Sequence, residues 1–419
     1  MDVPIHRFRN NQKAIALGNP AWEKAKEKSL IDLSVRAGEN DRLVMDNGFE
    51  FINFSSCSYL GLHSHPDLLQ GAVDAMRNEK VWEVSISRIR IRMRLLDEVE
   101  EQMGELWKAR CICAPTAGGA SSGLLPLIAS GHLLPDGKPP VMVFDRYAHF
   151  SMNLIKPICA DETEVLTAPH NDIDYLEDIC KKHHRVAFVA DGVFSLGGAA
   201  RVKELLELQD RYGLFLYFDD SHSLSLYGKH GEGYARAMLG DELSPLTVNV
   251  VSLCKGFGGS GAVVMLGDPK LSDLVIRWGG PLAWSQKLNT AAMGLAKASL
   301  KIHASPQLGE LQATLLKHLE MFDSRIPTEQ SGDPFTIRLV VVGEEERALN
   351  VGEEVFRRGF YTSPVFFPIV ERGKAGLRVM IRADNNPEDI HRFCDVLEEL
   401  IDFDRPLAVT ADSSDMVQA

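Results

Sequence analysis

The sequence predicts an α/β protein, with a large domain built on a mostly parallel sheet flanked by helices and a smaller α+β C-terminal domain. Three observations carry that expectation. From about residue 60 onward, apolar runs of strand length alternate with helical patterns, the rhythm of βαβ units under a sheet covered on both faces. Around residue 300 the rhythm changes to a long helical stretch followed by short strands. The length of 419 residues leaves room for two or three domains.

Taken in order, the stretch NPAWEKAKEKSLIDLSVR, from about 19 to 36, reads as a charged amphipathic helix in an N-terminal arm. The clearest expected strands are Val141–Phe144, Val186–Ala190, Leu214–Phe218, Val248–Leu253 and Ala262–Leu266. YLEDICKKHH and VKELLELQDRYG are helical between them, and Gly213 is a plausible stop for the second. The long helical stretch TAAMGLAKASLKIHA, then GELQATLLKHLEMFDSRI, precedes the strands FTIRLVVVG and GLRVMIRAD and a last helix over Pro387–Ile401. The expected division is an arm over 1–60, a large domain over 61–300, a small domain over 301–405 and a polar, frayed tail over 406–419.

Composition narrows the class. Apolar residues are 45% and charged residues 25%, the balance of a soluble globular protein. With 45 basic and 58 acidic residues the net charge is −13, which argues against binding nucleic acid or an anionic membrane through a positive field. Seven scattered cysteines form no disulfide framework and read as reduced and intracellular. Cys111 and Cys113 are spaced too tightly for a zinc knuckle, and His63 and His65 lie in an ordinary turn, so no metal site is expected. The N-terminus MDVPIHRFRNNQKA has no apolar signal core. The longest apolar runs are about half a bilayer span. A cytoplasmic protein is the expectation.

Ligands of open α/β sheets sit beyond the carboxyl ends of the strands, so the residues after each apolar run are the places to search. LYFDDSHSLSLYGKHGEG carries Asp219, Asp220, Ser221 and His222 straight out of a strand. An acid at a buried strand tip is costly without a cation, although Asp219 can equally cap the following helix. VNVVSLCKGFGGSGAVVM places Lys255 after a strand and before a run of glycines. A largely desolvated lysine loses pKa and becomes a usable amine, and the glycines permit close approach to a flat or anionic ligand. A P-loop fails on order, because its lysine follows the glycines rather than preceding them. VMVFDRYAHFS sets His149 beyond a strand, either as a structural or as a functional residue. VADGVFSLGG supplies Asp191 and Ser195, and APTAGGASSGLL is a small-residue turn opening an apolar helix, a composition suited to phosphate.

In that order these motifs resemble the fold-type-I enzymes that use pyridoxal 5′-phosphate (PLP), and more narrowly the α-oxoamine synthases. That group includes aminooxononanoate synthase, glycine C-acetyltransferase, 5-aminolevulinate synthase and serine palmitoyltransferase. The likeness runs from NFSSCSYLGLHSHP to LRVMIRAD. It implies a seven-stranded sheet in the large domain and a homodimer with shared active sites. It implies that Lys255 forms the imine with PLP and later moves the Cα proton, with Asp219 holding the ring nitrogen protonated. His149 would stack on the ring, and His222 would lie near the phenolic oxygen or the substrate carbonyl. Ser195, Ser252, Ser285 and the turn at Ala117 and Gly118 would serve the cofactor. Arg378 would grip the amino acid's carboxylate, with Arg88 and Cys57 also on the substrate side. The implied reaction condenses an α-amino acid with an acyl thioester, on coenzyme A or a carrier protein, with loss of CO₂ to give an α-amino ketone. The alternatives are an aminotransferase or aldolase on the same fold, or a non-catalytic partner subunit.

The chain departs from the family in places. EVSISRIRIRMR keeps only Ser87 and Arg88 of a glycine-rich GSGGSR-like stretch. If extended, its strict alternation projects Arg88, Arg90, Arg92 and Arg94 to one face, either for a phosphorylated carrier or as a solvated or interface strand. Cys57 stands for the family's Asn and Gln286 for a Thr that reaches a neighbour's phosphate. These departures, with the DDSHS spelling, point to a specialised biosynthetic pathway.

Overall fold

Valine-rich runs with no charge inside them can only be strands if both faces are covered, and that is how they fold. The computed structural model describes residues 10–39 and 42–403, so the expected tail over 406–419 lies outside the described residues. The main sheet has seven strands: β1 (Arg110–Ala114), β2 (Val141–Asp145), β3 (Val165–Ala168), β4 (Val186–Asp191), β5 (Phe215–Asp219), β6 (Thr247–Ser252) and β7 (Ala262–Leu266). Their order across the sheet is β1-β7-β6-β5-β4-β2-β3. β7 runs antiparallel to β1 and β6, while the β2, β3, β4, β5 and β6 pairings are parallel.

Side chains alternate between two cores. On β5, Leu216 and Phe218 join the core that includes Leu96, Val99, Leu205 and Ala296 from three helices, Arg94–Trp107, Val202–Tyr212 and Thr290–His303. Phe215 and Tyr217 join the opposite core with Leu124, Leu125 and Ile128 of the helix Ala117–Ala129. Burying each such side chain is worth about 1.5–3 kcal/mol. The sheet is therefore a rigid platform whose carboxyl edge can carry costly polar groups.

The described chain divides into two units. One holds residues 60–195 and 199–312; the other holds 196–198, the described part of 9–59, and 313 onward. The arm expected over 1–60 is thus not a separate body. Residues 50–53 pair with the strand Phe360–Tyr361 in parallel and belong with the C-terminal elements. The boundary, expected near 300 within the long helical stretch, falls inside its second helix, Pro306–Asp323. In the second unit a three-stranded sheet places Ala375–Met380 between Ile337–Gly343 and Ser363–Val365.

The helix expected over 19–36 occupies Asn10–Glu27. Ser29 and Asp32 take left-handed conformations (φ 55° and 59°), and Val35–Ala37 leaves to pair with Leu43–Met45. A larger correction concerns the arginine-rich stretch. It is no extended strand: Arg90 N–H closes a turn onto Ser87 O, and Arg94 starts a helix. Arg88 is 4% exposed, and its guanidinium forks onto Glu100 at 2.9 and 3.1 Å while donating to Cys113 O at 3.0 Å. Arg92 bonds Asp97 and Arg94 pairs with Glu98, both exposed, while Arg90 lies 6.0 Å over the Trp284 ring. The four arginines share no face, because one is needed inside to neutralise Glu100.

Removing one partner of a buried pair leaves the other charge uncompensated. Arg88→Ala should lower the unfolding free energy by about 3 kcal/mol, the low end of that range because Arg110 stands 3.7 Å from Glu100. Urea denaturation checks this, and an unchanged midpoint would show that the pair is not structural.

Candidate active site

Three parallel strands end on a carboxylate at one edge of the sheet: Asp145 on β2, Asp191 on β4 and Asp219 on β5. Asp191 and Asp219 are register partners on neighbouring strands, and they are 1% and 4% exposed. Asp219 accepts the Ser221 N–H at 3.0 Å. Asp191 accepts the His149 N–H at 2.8 Å. Burial first, and then the charge of Asp219, push the Asp191 carboxyl well above the usual carboxylate range. Asp145 is fully served: it accepts from the N–H groups of Tyr147 (2.8 Å) and Asn171 (2.9 Å) and meets His170 Nδ1 at 3.0 Å. The buried Lys156 ammonium, pushed down to about 8 by burial, is held up by the charge of Asp145 and donates to Thr167 Oγ1 at 3.1 Å.

The loop after β6 brings Lys255 to this edge. Its Nζ lies 2.9 Å from His222 Nε2, on the loop that follows β5. Lys255 is half-buried and His222 is 4% exposed. The glycines behind the lysine serve the chain itself. Gly258 (φ 73°) donates to Lys255 O at 2.9 Å, and a Cβ there would fall 2.5 Å from Leu62 Cβ. Gly261 (φ 90°) would crowd Leu288 and Ala114 O in the same way. They form the tight turn that presents the amine.

His149 is exposed and caps a short helix: its Nδ1 accepts the Ser151 N–H at 3.3 Å and lies 2.8 Å from Ser151 Oγ. The ring is therefore held at its Nδ1 edge by Ser151. Ala117 and Gly118 are the first two residues of the helix Ala117–Ala129, capped by Thr116. Thr116 Oγ1 takes the Gly119 N–H at 2.8 Å and Thr116 O takes the Ala120 N–H at 2.9 Å. That leaves Ala117 and Gly118 as the donors of the first turn for an anion. Ser252 ends β6, its N–H held by Ser221 Oγ at 2.8 Å and its own Oγ 3.0 Å from Cys254 Sγ. Ser195 is half-buried in the turn after β4. Ser285 is exposed at the end of the helix Pro281–Trp284, donating to Pro281 O at 2.6 Å.

Two candidate residues belong to the second unit. Arg378 lies in the central strand of its three-stranded sheet, and its Nε is buried with no hydrogen-bond partner among the described residues. That is a guanidinium suited to an incoming carboxylate. Cys57 is half-buried with its Sγ 3.6 Å from Met380 Sδ. No group of acids, histidines or cysteines among the described residues could hold a metal ion. Sequence reasoning passed over Asp145, Lys156 and His170. The signal for Asp145 was present, since VMVFD runs into its acid just as LYFD does.

Comparisons with known proteins agree with this architecture. The family described as Aminotransferase class I and II matches residues 50–397. An 8-amino-7-oxononanoate synthase of Alkaliphilus metalliredigens is 26% identical over 379 residues, 88% of this chain and 92% of its own. Among solved structures, a serine palmitoyltransferase of Sphingomonas wittichii superposes with a TM-score of 0.79 at 18% identity, covering 94% of this chain and 98% of its own. An 8-amino-7-oxononanoate synthase from Francisella tularensis gives 0.68 at 19% identity, covering 83% and 97%. The two structural likenesses establish the fold.

Asp220 marks the boundary between chemistry and scaffold. It is fully buried and accepts from Ser223 Oγ, from the Arg236 N–H at 3.0 Å and from Asn249 Nδ2 at 3.5 Å, yet burial still pushes it up to about 6 from 3.8. A raised acid favours the folded state when protonated, so its contribution is present below about pH 4 and is lost as pH rises to about 6. The unfolding free energy of wild type relative to Asp220→Asn should fall by roughly 3 kcal/mol across that window. Urea midpoints of both proteins from pH 4 to pH 7 measure it; a difference that ignores pH contradicts the assignment.

Proposed function

Because the chain belongs to the aminotransferase class I and II family, in its α-oxoamine synthase branch, we propose how its own residues condense an α-amino acid with an acyl thioester. The reaction is PLP-dependent and releases the thiol and CO₂ to leave an α-amino ketone. The observation that carries the residue assignment is the 2.9 Å contact between Lys255 Nζ and His222 Nε2 beside the carboxylates of β4 and β5.

The residues fit the cofactor. Two buried carboxylates stand side by side, so that the charge of one raises the other, and a cationic ring nitrogen at Asp219 would relieve them. When bound, PLP supplies an electrophilic aldehyde and an electron-withdrawing ring. Lys255 Nζ is the amine for that aldehyde and, once freed, the base for the Cα proton. His222 Nε2 stands where it can take a proton from Nζ and return it. Asp219 would hold the ring nitrogen protonated through a charge-assisted hydrogen bond. His149 would lie against the cofactor ring, and the Ala117 and Gly118 amides with Ser252, Ser195 and Ser285 would hold its phosphate. Arg378 takes the amino acid's carboxylate, and Cys57 lines the substrate side. Arg88 is left out of the substrate assignment, its guanidinium being occupied by Glu100.

The thioester is carried by coenzyme A or a carrier protein, and the working form is a homodimer in the cytoplasm. Exposed Trp278 (72%) and Trp284 (63%), with Ile89 and Ile91 also exposed, support a covering second copy. No described helix is long and apolar enough to cross a membrane. Cys57 and Gln286, where the family has Asn and Thr, support a specialised pathway.

The purified protein should show a visible cofactor band that borohydride removes, and Lys255→Ala should lack it. With a suitable amino acid and acyl-CoA, wild type should release thiol and CO₂ together, and Lys255→Ala should lose at least about a thousandfold in rate. Formation of an α-keto acid without any thioester would replace this reading with that of an aminotransferase.

A further inference from the structure

Asp191 is given no binding or catalytic role of its own above, yet it is among the most buried acids at the sheet edge. It ends β4 as the register partner of Asp219, about 4.8 Å away along the hydrogen-bonding direction of the sheet. Its Oδ2 accepts the backbone N–H of His149 at 2.8 Å. We propose that Asp191 is a positioning residue of the cofactor site, holding the His149 backbone from the end of β4 beside the register-paired carboxylate of Asp219.

The geometry gives Asp191 two consequences. His149 is held at two points, its imidazole by Ser151 and its main chain by Asp191. With both fixed, the tilt of the ring follows the end of a buried strand rather than an exposed loop. The charged neighbours that act on Asp191 are Asp219 on β5, Asp145 on β2 and Lys255 in the loop after β6. Asp145 is already met by His170 and Lys156. Burial and the charge of Asp219 favour a proton on Asp191. A neutral Asp191 still accepts from His149, so its hydrogen bond and its protonation are compatible.

This inference rests on the PLP reading, and the experiment separates the two. Apo wild type, Asp191→Asn and Asp191→Leu are titrated with PLP and followed by visible absorbance and by circular dichroism of the bound cofactor. Asparagine keeps the volume and an acceptor for His149, so Asp191→Asn should bind PLP within about threefold of wild type with its dichroism and absorbance pH profile unchanged. Leucine fills the space without an acceptor, and Asp191→Leu should bind about tenfold more weakly with its dichroism reduced. If Asp191→Leu does not fold, Asp191→Asn decides alone. A tenfold loss of affinity in Asp191→Asn, or a wild-type-like Asp191→Leu, overturns the positioning role while PLP binding stands. Wild type that takes up no PLP overturns the cofactor reading and this inference with it.

Discussion

Negative charge at the buried end of a parallel sheet is the constraint on which the rest of this molecule turns. Asp145, Asp191 and Asp219 close three neighbouring strands whose other residues are buried on both faces. A carboxylate there has little water to solvate it, so each must be answered by the protein or by a ligand. The answers differ in kind. Asp145 has two backbone N–H groups, His170 and the charge of Lys156. Asp191 has the His149 N–H and a raised affinity for its proton. Asp219, among the described residues, accepts one backbone N–H, that of Ser221. The site is the place where the fold leaves one charge incompletely answered.

The groups that act around that charge are set by rigid elements. Asp219 and His222 leave the end of β5, Lys255 follows β6, and the His149 loop follows β2. Strands locked into two cores have little freedom to shift, so the amine and the imidazole meet through the alignment of β5 and β6 rather than through loop adaptation. Glycines with positive φ make the Lys255 turn tight enough to present its side chain. At the opposite polarity, the helix Ala117–Ala129 offers N–H groups where an anion is wanted.

The second unit works on the same principle with reversed sign. Arg378 is carried on a strand paired on both sides, so its guanidinium is fixed from below. Its Nε has no hydrogen-bond partner among the described residues, whereas the more deeply buried Arg338 is engaged by Asp323 at 2.7 and 2.8 Å.

By itself the sequence determined the fold class, five of the seven main strands to within a residue or so, and the strand-end identities of Asp219, His222, Lys255 and His149. Those are local matters: an unbroken valine-rich run and the polar residue that ends it need no distant partner to be read. The tertiary structure alone decided what each polar group faces. The alternation in RIRIRMR is the period of a strand, yet it gave way because Glu100 on a neighbouring helix required a buried counter-charge from Arg88. β1, whose RCICA is short and begins on a charge, becomes a strand through its antiparallel pairing with β7. The pairing of residues 50–53 with Phe360–Tyr361 spans most of the chain, and no local pattern encodes it. Charge compensation and strand pairing act across space, so their outcome is settled only when the chain has folded.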